Sequence, residues 1–242
     1  DSSTSRGLGD VYKRQGRANA DAMLLLRVSA EEPLQVLQLP SEIAVQLPGS
    51  DSPTSLSSLW QSGGVALLND AIQDILGSTQ QVPQRYVVMP RTALRTLVDG
   101  LGDVDLVLDQ TYQHNDQSQG YSINLQAGRQ RLNGEKAEQF ARYRPTPLDN
   151  ANRRNRQQDL ILALVDQVKD SSVISTLPLL VSRLDDELDT NLSRLEQLSL
   201  AAALIASPLP VRITQVPLAK RVDNQILRQV KPDQTLPLWP QD

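Results

Sequence analysis

"RYVVMPRTALRTLVDGLGDVDLVLD" (residues 85–109) decides the fold class. Its first part, 85–90, sets Tyr86, Val87 and Val88 side by side before Pro90, the β-branched and aromatic signature of a short strand. Residues 92–102 read as a helix whose stop is supplied by Gly100 and Gly102. Residues 103–109 read as a second strand. Strand, helix and strand in succession predict an α/β layer architecture.

The same reading extends to both sides. Residues 22–29 and 34–40 are two Leu- and Val-rich strands joined by a turn at "SAEEP", and "EIAVQLP" is expected to continue the second. From Ser58 to Leu76, the residues Leu59, Val65, Leu68, Ile72 and Ile75 recur at helical steps, with Gly77 as the stop and Gly63-Gly64 weakening the first turns. Beyond the opening stretch, the polar residues 109–120 read as a loop and 121–128 as a short strand. Residues 133–143 form a helix with Asn133 as N-cap and Ala137, Phe140 and Ala141 on one stripe, stopped by Pro145. The next helix starts near Asn152 and turns Ile161, Leu164, Val165 and Val168 inward. Carried back along that stripe, the core-facing side passes Leu160 and reaches Gln157 and Arg153. Two more helices (173–186 and 192–206), a strand (211–216) and a proline-punctuated tail complete the chain. The expected organisation is a leader over 1–15, a domain over 16–170, and a helical extension with tail over 171–242.

The chain has 242 residues, 39% of them apolar, and a formal net charge of -4, with Lys+Arg 24 against Asp+Glu 28. That balance argues against holding nucleic acid by bulk charge, so an anion site has to be local. The absence of cysteine excludes disulfides, thiolate metal sites and a cysteine nucleophile. No run approaches the roughly 20 apolar residues of a membrane span. Residues 1–15, "DSSTSRGLGDVYKRQ", lack apolar periodicity and read as a leader foreign to the domain. On that expectation the natural N-terminus, with any anchor or signal, is missing.

Against this acidic background, "QFARYRPTPLDNANRRNRQQ" (139–158) gathers Arg142, Arg144, Arg153, Arg154 and Arg156. Arg144 precedes proline and is expected to be extended, projecting with Arg142 to one side. Arg153 in the first turn of a helix opposes the helix dipole unless an anion offsets it, and phosphate oxygens match the guanidinium fork. Arg142, Arg144 and Arg153 then form a phosphate clamp, with Gln157 one turn on as a further donor. The competing reading has Arg154 and Arg156 facing water, and Arg142 and Arg153 paired to surface carboxylates. "GRANADAM" (16–23) adds Arg17 and Asp21 before a buried strand, and an aspartate beside phosphate suits Mg²⁺, a hard cation that takes oxygen ligands. His114 lies in a polar stretch and reads as solvated. The serines of 50–58 lack a partner base and read as linker. No phosphate-cradling glycine motif and no metal-type histidine spacing occurs.

Together these segments resemble the LytR-CpsA-Psr family of bacterial envelope proteins. Its L-x-G-x-x-A-x-x-(Y/F)-x-R-x-R run reads "LNGEKAEQFARYR" here, and its G-R-x-x-R-Q-Q helix reads "NRRNRQQ". The Gly16 to Arg27 strand, the 86–108 unit and "INLQAGRQRLNG" follow in the family's order, and the resemblance spans about 16–170. It implies an α/β/α sandwich around a mixed central sheet, with an apolar tunnel for a lipid. It implies a phosphotransferase that moves a glycopolymer from a polyprenyl-pyrophosphate carrier to peptidoglycan or another envelope acceptor, with Mg²⁺. The protein would act on the extracytoplasmic face of the cell membrane, through an anchor absent from this chain. Arg142, Arg144, Arg153 and Gln157 would hold the pyrophosphate and Asp21 the metal, with Arg17 and Arg156 in support and Arg154 solvated. The chain departs from the pattern where P-R-D becomes "PSE", with Ser41 for the arginine and Glu42 for the aspartate. "SLSSLW" (55–60) replaces K-I-N-x-x-Y, and Asn150 stands where an acid is usual. One lost arginine contact of this kind is worth about 1.5–3 kcal/mol, or about ten- to a hundredfold in rate. Weak activity, or a carrier-binding protein without turnover, is therefore also implied; a nucleic-acid-binding regulator is a third reading.

Overall fold

The computed structural model describes residues 19–77, 83–116, 121–222 and 225–232, and Arg17 and the leader lie outside them. The chain adopts the mixed α/β class that residues 85–109 predict. In chain order the strands are β1 (Leu24–Arg27), β2 (Gln35–Gln38), β3 (Ala44–Val45), β4 (Thr54–Ser55), β5 (Val87–Val88), β6 (Val104–Leu108), β7 (Tyr112–Asp116), β8 (Tyr121–Leu125), β9 (Gly128–Leu132), β10 (Asp189–Thr190) and β11 (Arg212–Gln215). The helices are α1 (Leu59–Leu76), α2 (Arg91–Gly100), α3 (Gly134–Arg142), α4 (Asn150–Val168), α5 (Ser171–Ile174), α6 (Leu177–Asp185) and α7 (Arg194–Ala206). Among the described residues the strands pair as one three-stranded sheet, β1-β2-β11, and four two-stranded ones. The middle strand β2 is buried along its whole length.

Contacts divide the chain into two compact units, one of residues 1–25, 37–84 and 214–242, the other of 26–36 and 85–213. In the first, Met23, Leu37, Ile43, Leu56, Ile72 and Val216 belong to one apolar core. Residues 41–47 do not continue the second strand. Pro40 has no N–H to carry a ladder onward, and the chain turns at Ser41-Glu42, where Ile43 N donates to Pro40 O at 3.2 Å. β3 then pairs antiparallel with β4, Ala44 opposite Ser55. The long helix α1 is broken at Gly64, whose φ of 65° and ψ of −148° lie outside helical space, a conformation glycine adopts without steric penalty.

In the second unit, Val104, Leu106, Leu108, Tyr112, Leu132, Phe140 and Leu160 share a core. A second cluster joins Ala93 and Leu101 of the α2 region to Leu177, Leu180 and Leu184 of α6. The stretch 109–120 is not simply a loop, since Tyr112–Asp116 pairs antiparallel with Tyr121–Leu125. Its polar composition conceals a strand held in place by Tyr112 and by the buried Ile123 and Leu125 opposite. β9 was also hidden; it pairs antiparallel with β6 from Val104 opposite Leu132 to Leu108 opposite Gly128. The expected helix 173–186 is two, because Pro178 fits only a first turn and the helix restarts at Leu177.

Candidate anion site at the α3–α4 corner

Two helix ends build the corner. Asn133 caps α3, its side chain accepting from Lys136 N, and Gly134 sits where a Cβ would come within 2.4 Å of the Arg95 carbonyl oxygen. Only glycine allows α3 to cross α2 so closely. α3 ends at Tyr143, whose ψ of 127° turns the chain into an extended connection. α4 begins at Asn150 with no acidic residue in its first turn and no side-chain cap from Asp149, so the backbone N–H groups of its first turn receive no acceptor from the N-cap side chain.

Side chains of α4 tie back to α3. Arg156 donates from Nη2 to the Tyr143 carbonyl and lies 3.5 Å from Asp149. Its guanidinium carbon is 5.4 Å from the ring centre of Tyr112 and 5.1 Å from that of Tyr143, within cation–π range. Tyr112 packs edge-on against Tyr143 at 5.1 Å and donates its hydroxyl to Asp109. Burial, and then the Asp109 contact, push the Tyr112 hydroxyl pKa up. Gln157 donates to the Ala141 carbonyl at 3.3 Å. Arg156 and Gln157 thus satisfy carbonyls that the end of α3 would otherwise leave unbonded.

The three arginines of the expected clamp lie at the end of α3, in the connection and in the first turn of α4. Arg153 projects from α4 and keeps 7% of its exposure. Arg144 is exposed and donates from Nη1 to the buried Asn150 at 3.2 Å. Asparagine accepts that bond without neutralising the guanidinium, as an aspartate would. Arg142 donates from Nη1 to Glu138 Oε1 at 2.7 Å. Cationic donors and an open helix N-terminus within one corner suit an oxyanion held by position and charge.

The other predicted group lies in the first unit. Asp21 is half-buried at the approach to β1. Backbone bonds run from Ala20 N to Ser57 O and from Ser57 N to Ser41 O, each 3.2 Å, so the segments around Asp21, Ser57 and Ser41, read separately in sequence, are neighbours. Among the described residues no three of His, Asp and Glu gather as a metal-holding group. A single carboxylate fits Mg²⁺ completed by phosphate oxygens and water rather than by a protein cage. His114 is exposed on β7.

The solvated placement of Arg154 and Arg156 is corrected: they keep 6% and 4% of their exposure. Both lie on a helix start covered by its surroundings, where a charge run does not mark a wet face. Arg156 accordingly acts within the corner by holding Tyr143. The surface pairing expected for Arg142 is with a buried carboxylate instead, since the Glu138 side chain is 2% exposed. Sequence reading passed over Glu138, although its i,i+4 spacing to Arg142 was the available signal. It also passed over Tyr112 and Tyr143, for which the sequence held none.

Fold and corner together define a mixed α/β domain with arginines gathered where α3 passes into α4. The chain belongs to the LytR_cpsA_psr family, whose model matches residues 6–239. It is 23% identical over 186 residues to the regulatory protein MsrR of Staphylococcus aureus, covering 76% of this chain and 55% of that one. It is 27% identical over 181 residues to the polyisoprenyl-teichoic acid–peptidoglycan teichoic acid transferase TagT of Bacillus subtilis, 73% of this chain and 54% of that one. The chain spans little more than half the length of these relatives. Among solved structures it resembles B. subtilis TagV, with a TM-score of 0.70 at 20% identity over 90% of this chain and 84% of that one. TagT bound to LI-WTA superposes with a TM-score of 0.65 at 22% identity, over 88% of this chain and 78% of that one.

Proposed function

We propose that the protein is a phosphotransferase that moves a glycopolymer from a polyprenyl-pyrophosphate carrier to a cell-wall acceptor such as peptidoglycan. The observation that supports this reading is Arg144 and Arg153 beside an α4 N-terminus without a side-chain cap, with Arg142 at the end of α3, in a chain whose relatives include named teichoic acid transferases. In the proposed reaction an acceptor hydroxyl attacks the sugar-linked phosphorus. The bond from that phosphorus to the bridging oxygen breaks, polyprenyl phosphate leaves, and the hydroxyl proton is released. The arginines stabilise the leaving phosphate, with Gln157 as a further donor beside its bond to the Ala141 carbonyl. Mg²⁺, for which Asp21 is the proposed ligand, would supply charge neutralisation to phosphate oxygens. Catalysis of this kind is mostly positioning and electrostatics, which accounts for a corner built of cations rather than around a nucleophile. The reading places the protein at the extracytoplasmic face of the cell membrane. No helix among the described residues is long and apolar enough to cross a membrane, so an anchor would come from outside them.

The test is transfer of a polyprenyl-pyrophosphate glycan to peptidoglycan with Mg²⁺. Arg153→Ala is expected to lower the rate about ten- to a hundredfold, the loss of one charge-assisted contact. Transfer unchanged by that substitution would sink the assignment. A carrier-binding protein without turnover is the second reading, favoured by Ser41 and by hydroxyls at 54–58 that bond to one another, such as Thr54 to Ser58 at 2.7 Å. Binding of the carrier without transfer would select it. The net charge of -4 weighs against a nucleic-acid backbone as the ligand.

A further inference from the structure

Glu138 lies at a position the family's arginine motif leaves unspecified, on the core stripe of α3 among Ala137, Phe140 and Ala141. It is 1% exposed, and a carboxylate that buried persists only when it is paired. Both oxygens are engaged. Oε1 accepts from Arg142 Nη1 at 2.7 Å, one turn along the same helix, with Arg91 Nε 4.0 Å away. Oε2 accepts from Arg95 Nε at 2.5 Å and also from Arg95 Nη2. Arg95 belongs to α2, the helix that Gly134 lets α3 approach, so the carboxylate is gripped from outside its own helix.

We propose that Glu138 is a positioning residue for Arg142, fixing the plane of a phosphate-binding guanidinium while Arg95 fixes Glu138 in turn. The inference rests on the phosphate reading of Arg142. A guanidinium on a flexible stem binds an anion better when its fork is already oriented. Losing Glu138 frees the Arg142 side chain, and that loss of orientation is what the substitution reads.

The probe is geranyl pyrophosphate, its affinity measured by calorimetry on the full chain for wild type, Arg142→Ala, Glu138→Gln and the double variant. Glu138→Gln is expected to weaken binding about five- to tenfold in the wild-type background and hardly at all beside Arg142→Ala, the signature of two residues acting through one contact. A packing role alone would weaken binding by the same factor in both backgrounds, and that result would overturn the proposal. So would a Glu138→Gln affinity equal to wild type while Arg142→Ala loses affinity. If Arg142→Ala itself binds like wild type, the phosphate reading of Arg142 fails and this inference goes with it. Should Glu138→Gln not fold, Arg95→Ala serves in its place. Its side chain is 47% exposed, and the same background-dependent loss, about two- to fivefold, is expected.

Discussion

At the start of α7, Glu196 accepts from the Ser193 backbone and hydroxyl, each at 2.8 Å, while Ser193 accepts from Glu196 N. Arg85 adds a donor at 2.8 Å. These bonds, the Ser193 backbone first, lower the Glu196 pKa from an ordinary 4.5 to about 2. Because the folded value is the lower one, the stabilisation is present above the unfolded value and disappears as pH falls through the folded one. Glu196→Gln is therefore expected to melt below wild type at pH 7, with the gap closing as pH falls from about 4.5 towards about 2, a course that melting temperature against pH would follow. Single residues were unevenly legible in the sequence. Arg153 could be singled out because an arginine at a helix start opposes the helix dipole, and Arg144 because it precedes a proline. Glu138 could not, because a carboxylate next to glutamine, in a stretch with Glu135 and Lys136, reads as a solvent face until the helix crossing that buries it is known. Arg154 misled for the converse reason, since its burial is imposed by neighbours that sequence spacing does not reveal.

Among the elements, the helices announced themselves. Asn133 and Gly77 punctuated the stripes of α3 and α1, and both act as the spacing required. The strands were less legible where polar residues carried them. β7 contains Gln113, His114 and Asn115 in succession, and β9 buries only Leu132, so neither shows the alternation that marks a half-buried strand. Their pairing depends on partners and not on their own composition. The closest helix crossing depends on a single atom's absence. Gly134→Ala would drive a methyl group into the Arg95 backbone, which cannot swing aside as a side chain can. The expected outcome is a loss of about 1–3 kcal/mol or more, read as a lower urea midpoint with an unchanged slope.

For the whole molecule, a ligand that binds only the folded chain raises its melting temperature by mass action. At a hundredfold excess over its dissociation constant, geranyl pyrophosphate is expected to stabilise wild type by about 2.7 kcal/mol, a shift of several degrees. Under the same conditions Arg153→Ala, with affinity down about ten- to a hundredfold, should show about half of that shift or less. Added salt should shrink the wild-type response, since exposed charges such as Arg144 are screened. The fold class was legible from residues 85–109 because one strand–helix–strand unit needs only local signals. The assembly of the first unit from three distant segments was not, because Val216 joins the core of Met23 and Leu37 across almost the whole chain. Arg228 likewise exchanges backbone bonds with Glu42 and Ala44, each 2.9 Å. On the ribosome, the segments of this unit around Met23 and Leu37 must therefore wait for Val216 and Arg228, so the unit matures only after the stretch carrying Arg142 to Arg156 has already emerged.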